Sequence, residues 1–106
     1  MDTGVLEGYV KGICRITWSD KETDARVKTI AEDAVVYLHH KLGIPGEPFP
    51  GIFENPGIER MLFENYCLYR WNNISEEFEM NYKREILTIR HRYEVEAVNE
   101  EATNDI

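Results

Sequence analysis

A chain of 106 residues with 42% hydrophobic, 11% aromatic and 30% charged residues has the composition of one compact domain, neither disordered nor membrane-like. Twenty acidic against twelve basic residues leave a formal charge of −8, which repels phosphate over most of the surface and speaks against a nucleic-acid-binding domain. No apolar run is long enough to span a bilayer, and MDTGVLEGYVKG lacks the charged start and continuous apolar core of a signal peptide, so the protein is expected to be cytosolic when made.

In chain order, Leu6, Tyr9, Val10 and Ile13 share one helical face and predict a short N-terminal helix, weakened by Gly8 and Gly12, each of which costs about 1 kcal/mol against alanine. Ser19 followed three residues on by Glu22 has the pattern of a capping box. Val27, Ile30, Ala31, Ala34, Val35, Leu38 and Leu42 then trace one stripe, predicting a long helix from about Asp20 to Leu42 with a stop at Gly43 and Pro45. The segment Gly43 to Asn55 holds three of the four prolines and predicts an irregular crossing pinned by Ile44, Phe49, Ile52 and Phe53. Asn55 then reads as a cap and Pro56 as a first-turn residue. In the helix that follows, Ile58, Met61, Leu62, Tyr66, Leu68, Tyr69 and Trp71 cover much of the circumference, as in an element touched on several sides, until Asn72, Asn73 and Ser75 end or bend it.

The last segment begins near Ser75, with Phe78, Tyr82, Ile86 and Ile89 at helical spacing. Past that start, Leu87, Ile89, His91, Tyr93, Val95 and Ala97 alternate with Thr88, Arg90, Arg92, Glu94 and Glu96, the period of a strand with one apolar face. The steps from Ile86 to Ile89 to Tyr93 also fit a helix. The alternation is taken as an extended arm over about 88–98, with the helical reading kept open, and the polar, acidic residues 99–106 are expected to be disordered. The fold class that results is all-α, a small bundle of three to four helices in one domain (1–98) with an extended C-terminal arm.

Candidate chemistry is sparse. Asp20, Glu22 and Asp24 alternate like a calcium loop but lack its glycine and its closing bidentate glutamate, and a capped helix start explains them. His39 and His40 are adjacent and diverge by about 100° on a helix, so they cannot share a metal as an i, i+4 pair could. Cys14 and Cys67 form no CxxC motif and read as buried thiols. The pair Glu76 and Glu77 reads as dipole complementation at a helix start rather than an acid–base couple. No phosphate loop, nucleophile elbow or zinc-helix motif is present, so neither an enzyme nor a cofactor is expected. Tyr66, Tyr69, Trp71, Phe78 and Tyr82 read chiefly as core, with Arg70 and Arg84 expected to pair with Glu64, Glu77 or Glu79.

The stretch YVKGICRITWSDKETDARVKTIAEDAVVYL, followed after a loop by PGIERMLFENYCLYRWNNISEEFEMNYKREILTIR with its Phe78 to Tyr82 turn, resembles the head–tail connector (adaptor) proteins of tailed bacteriophages over most of the chain. The Pro-rich loop departs from that pattern. The resemblance implies a structural virion protein, made in the host cytoplasm, whose copies form a ring, expected to be dodecameric. Such a ring lies beneath the portal protein, extends the DNA channel and receives the next stopper or tail component. It further implies that a C-terminal arm binds the portal. Ile89, His91, Tyr93 and Val95 on the alternating face are the expected portal contacts, through addition to a sheet edge, and Tyr69, Arg70 and Trp71 are the expected subunit interface. DNA would pass through the lumen without specific binding, which net acidity suits. The competing reading is a small prophage or bacterial helical regulator that binds one protein partner through the aromatic helix.

Overall fold

The structure of the protein, a computed structural model, describes residues 1–104, with side chains through Glu100. The chain runs α1 (Gly4–Ile13), α2 (Lys21–Lys41), a 3₁₀ turn (Pro50–Phe53), α3 (Ile58–Trp71), a second 3₁₀ turn (Ser75–Glu77), the single-turn α4 (Phe78–Asn81) and α5 (Lys83–Asn104). No strand occurs among the described residues, so the all-α fold class holds.

The apolar spacing read from the sequence decides the packing. Leu6 and Val10 of α1, the stripe Val27 to Leu38 of α2, and Leu62, Phe63, Tyr66 and Cys67 of α3 are buried together, and α1, α2 and α3 pack on one another. The core is closed from the far side by Phe78, Ile86 and Ile89. Ile44 and Phe53 fasten the Pro-rich crossing as expected. Phe49 does not: its ring is 46% exposed and stands edge-on to His39.

The helix starts differ from expectation in detail. Asp20, not Ser19, caps α2, accepting the Thr23 N–H at 2.8 Å, because the Ser19 hydroxyl is drawn to Asp24 at 2.7 Å. Asp24 in turn pairs with Lys11 of α1 at 2.8 Å. The third helix starts at Ile58 with Gly57 in the cap position, so Asn55 and Pro56 stay in the loop that precedes it.

Helix ends follow one device. After α1, α2 and α3 the chain turns into the left-handed region at Arg15, Gly43 and Asn73. At each place the next two amides close back on the last turn: Arg15 N–H to Gly12 and Ile16 N–H to Lys11, Gly43 to His40 and Ile44 to His39, Asn73 to Arg70 and Ile74 to Tyr69, all at 2.9–3.2 Å. These paired bonds satisfy carbonyls that a helix end otherwise leaves without partners. Ile16 and Ile44 bury their side chains directly after the turn.

The extended-arm reading of 88–98 is overturned: the segment is the body of α5, 22 residues long. Ile86, Ile89 and Tyr93 recur at steps of three and four, and that face docks. Residues assigned to the opposite face of a strand reinforce the docking. The Arg90 guanidinium donates to the Lys41 carbonyl at 3.1 Å, at the C-terminus of α2, and Arg92 pairs with Glu59 of α3. A strand would have split these residues between two faces; a helix gathers them on one side. Helical backbone continues through Asn104, and the remainder of the tail expected to be disordered lies outside the described residues.

Candidate partner-binding surface

The four expected portal contacts do not share a face. Ile89 is 3% exposed and belongs to the core. Tyr93 packs against that core, its hydroxyl 3.4 Å from the Glu59 carboxylate, and burial followed by the Glu59 charge holds its phenol above the ordinary range. His91 and Val95 are exposed on the other side of the helix. At about 100° per residue, Leu87, His91, Val95 and Val98 fall within a quarter of the circumference of α5. Leu87, Val95 and Val98 are 53%, 43% and 62% exposed, so this is a second, uncovered apolar stripe. The spacing was legible as helical, but alternation at 87, 89, 91, 93 and 95 mixed its members with those of the buried face.

The expected subunit interface is largely occupied within the chain. Tyr69 packs edge-on against Phe78 and Tyr82 and accepts a hydrogen bond from the Asn81 amide at 2.9 Å. Arg70 pairs with Asp33 of α2 at 3.0 Å, not with Glu64, Glu77 or Glu79; Glu64 is taken by Arg60. Arg26 lies 4.0 Å over the Trp71 ring and donates to the Trp71 carbonyl at 2.7 Å. These contacts lock α3 onto α2. The same holds for the aromatic cluster, where Phe78 is fully buried among the rings of Tyr37, Tyr66, Tyr69 and Tyr82, with centroids 4.9–6.5 Å away.

Where α5 begins, the surface opens into a groove of about 420 Å³ between the end of α2 and the α4–α5 junction, lined by Lys41, Glu79, Met80, Lys83, Ile86 and Leu87. Its floor is apolar, and Met80 is 75% exposed. Lys41 neutralises Glu79 at 3.0 Å, and Tyr37 donates to the same carboxylate at 2.7 Å. Those two contacts, the Tyr37 bond first, hold the Glu79 carboxyl below its ordinary range. Lys83 makes no ion pair among the described residues, so the rim is left net basic. Lys41 and Met80 meet only through the tertiary fold, so the groove has no local signature in the chain.

Beyond α5 the side chains offer little chemistry. Burial pushes the Cys14 thiol up to about 11 and the Cys67 thiol further, so both stay protonated at neutral pH and are poor nucleophiles. Cys67 is buried as expected, whereas Cys14 is only partly so. His39 is buried, and its Nε2 has no hydrogen-bond partner among the described residues. His40 is exposed. Among the described residues no three His, Cys, Asp or Glu side chains are grouped as metal ligands, and no helix is long and apolar enough to cross a membrane. No family model, curated protein or solved structure matches this chain.

Proposed function

We propose that the protein is a head–tail connector subunit of a tailed bacteriophage, a structural protein that assembles as a ring between the portal and the next stopper or tail component. The observation that carries this reading is the outer half of α5. From Glu94 on, every described side chain is exposed, including Val95 and Val98. The molecule measures 56 × 28 × 19 Å along its principal axes, as expected when a terminal helix runs well past a short bundle. A lone helix of about ten residues is marginal in water, so one that leaves its bundle with apolar residues uncovered is suited to docking on another protein. The place of this helix, at the C-terminal end of the chain, is where the resemblance puts the portal contact, now as a helix and not as an added strand. The other features are compatible with a structural role: the thiols are inert, and the −8 charge would keep a channel wall from holding DNA.

The test is a truncation after Glu94, which among the described residues removes only exposed side chains and leaves Ile86, Ile89 and Tyr93 in place. Co-expressed with the portal protein from the same genome, the full chain is expected to co-purify with the portal ring, and the truncated chain to keep its helical circular-dichroism spectrum while losing that association. Truncated protein that still joins the portal would move the contact off α5. Full-length protein that ignores the portal would refute the connector reading, and a fixed one-to-one complex with another protein would replace it with that of a regulator.

A further inference from the structure

From Glu94 to Glu100, α5 carries three carboxylates and no lysine or arginine. The tip of α5 is therefore acidic around its two uncovered valines. The groove at the base of the same helix has the opposite character, an apolar lining of Met80, Ile86 and Leu87 beside Lys41 and Lys83, the latter without an ion pair among the described residues. The two patches match in polarity and charge, yet they cannot meet within one molecule. Eleven residues of continuous helix hold Leu87 and Val98 about 16 Å apart. The occupant that the groove's chemistry fits is another copy of this chain.

We propose that the acidic tip of α5 in one copy docks, through Val95 and Val98, into the groove at the base of α5 in the next copy. The contact supplies the seam of the ring proposed above and rests on that reading; with Val95 and Val98 in the seam, the assembled ring offers the portal the remaining exposed sides of the outer α5. Its symmetry follows from the helix. At about 100° per residue, Lys83 and Ile86 point about a third of a turn away from Val95 and Val98, while Leu87 lies within about 20° of Val98 and joins the groove to the exposed stripe. Two α5 helices laid antiparallel about a two-fold axis would meet through the Leu87–Val98 stripe and leave Lys41, Lys83 and Ile86 of the groove unused. A head-to-tail contact engages both patches of every copy, and such contacts close into rings or run on as filaments. The apolar area on each side is small, so a single contact is weak and closure of the ring multiplies it.

Sedimentation of the isolated full-length protein over a wide concentration range tests this. The average mass is expected to rise past that of a dimer as concentration increases and to fall again with added salt, because the charged rim is screened. Leu87→Asp (groove) and Val98→Asp (tip) should each weaken association about tenfold or more. An equimolar mixture of the two variants should form a dimer and stop there, since only one intact groove and one intact tip remain per pair. Both sites are exposed, and the circular-dichroism spectrum of each variant checks its fold. Lys83→Glu, rescued by Glu94→Lys on the other copy, gives the same test through charge alone. A wild-type chain that stays monomeric throughout, or stops at a dimer, overturns the proposal, as does a mixture that associates no better than either variant. If such a chain is still captured by the portal, the seam is wrong and the connector reading stands.

Discussion

Replacing Ile89 and Val95 one at a time by alanine separates a docked helix from a free arm. If the segment were an extended arm awaiting its partner, both residues would be exposed in the isolated subunit and both substitutions would be nearly silent. In the structure Ile89 is 3% exposed and Val95 43% exposed, so the two should behave differently. Ile→Ala removes three carbons, worth about 2.4 kcal/mol at about 0.8 kcal/mol per buried methylene, and the cavity left behind places the total at about 3 kcal/mol. Against a stability of about 5–15 kcal/mol for a small domain this is a large fraction, and at about 4 °C per kcal/mol it lowers Tm by about 12 °C. Val95→Ala should stay within about 0.5 kcal/mol of wild type, since it removes an exposed side chain and improves helix propensity. Urea melts followed by circular dichroism measure both, with the slope showing whether the transition stays two-state. In the portal co-purification assay the order should reverse at permissive temperature, Val95→Ala weakening capture more than Ile89→Ala. An Ile89→Ala protein that melts with wild type would refute the docking of α5 and return the segment to a free arm.

Arg15 holds the left-handed conformation after α1 without glycine's freedom (φ 57°), so Arg15→Gly should raise stability by about 1 kcal/mol, measurable as a higher urea midpoint at unchanged slope. Two carboxylates make the fold sensitive to acid: hydrogen bonds from Lys11 and then Ser19 hold Asp24 below its ordinary range, and Tyr37 and then Lys41 do the same for Glu79. Because their folded pKa values are depressed, the unfolded chain takes up protons first, so their contribution is complete above the ordinary carboxylate range and is lost as pH falls through the lowered folded values. Tm should therefore drop between about pH 5 and 3, and the double variant Asp24→Asn, Glu79→Gln should show a shallower drop; a variant with the wild-type profile would mean that other groups dominate.

The sequence disclosed those parts of the fold in which one strong local signal stands alone. The apolar stripe of α2 runs from Val27 to Leu38 with no competing period, and Gly43 marks its end, so the helix was found within a residue at each end. Cap assignment failed where two competent residues adjoin. Either Ser19 or Asp20 can cap, and the choice falls to Asp20 because Asp24, held by Lys11 from another helix, recruits the Ser19 hydroxyl. The turn at Arg15 gave no signal, since arginine has no preference for that backbone. In α5 the difficulty was a coincidence of periods. Ile89 and Tyr93 are four apart, and four is a multiple of two, so the same residues satisfy a strand and a helix until a docking surface chooses between them. That surface is assembled from Glu59 and Lys41, remote in sequence, together with Phe78 just ahead of the helix. The candidate site was legible only in its outer half, where Val95 lies on the exposed stripe. Its groove depends on the packing of the end of α2 beside the α4–α5 junction.

The division within α5 explains how one helix can serve both stability and assembly. Its inner half is fixed by Ile86, Ile89 and Tyr93 and by guanidinium contacts from Arg90 and Arg92 to α2 and α3. Its outer half is held by little beyond the backbone bonds that continue from there. A separate peptide of that length would have to nucleate its own helix, the unfavourable step in helix formation. Here nucleation is already met by the docked turns, and each further residue adds one backbone bond per residue ordered. The tip is therefore presented as a helix before any partner arrives, with few tertiary contacts to break on docking, and a partner meets a smaller ordering cost than it would with an arm that is disordered when free. An unattached strand with the same apolar residues could not be presented this way, because its backbone groups and its one narrow apolar face would both lack neighbours. Substitutions of the buried inner residues Ile86 and Ile89 and of the exposed outer residues Val95 and Val98 should accordingly differ in kind, the first in melting temperature and the second in association, which is why the truncation after Glu94 tests function without first destroying the fold.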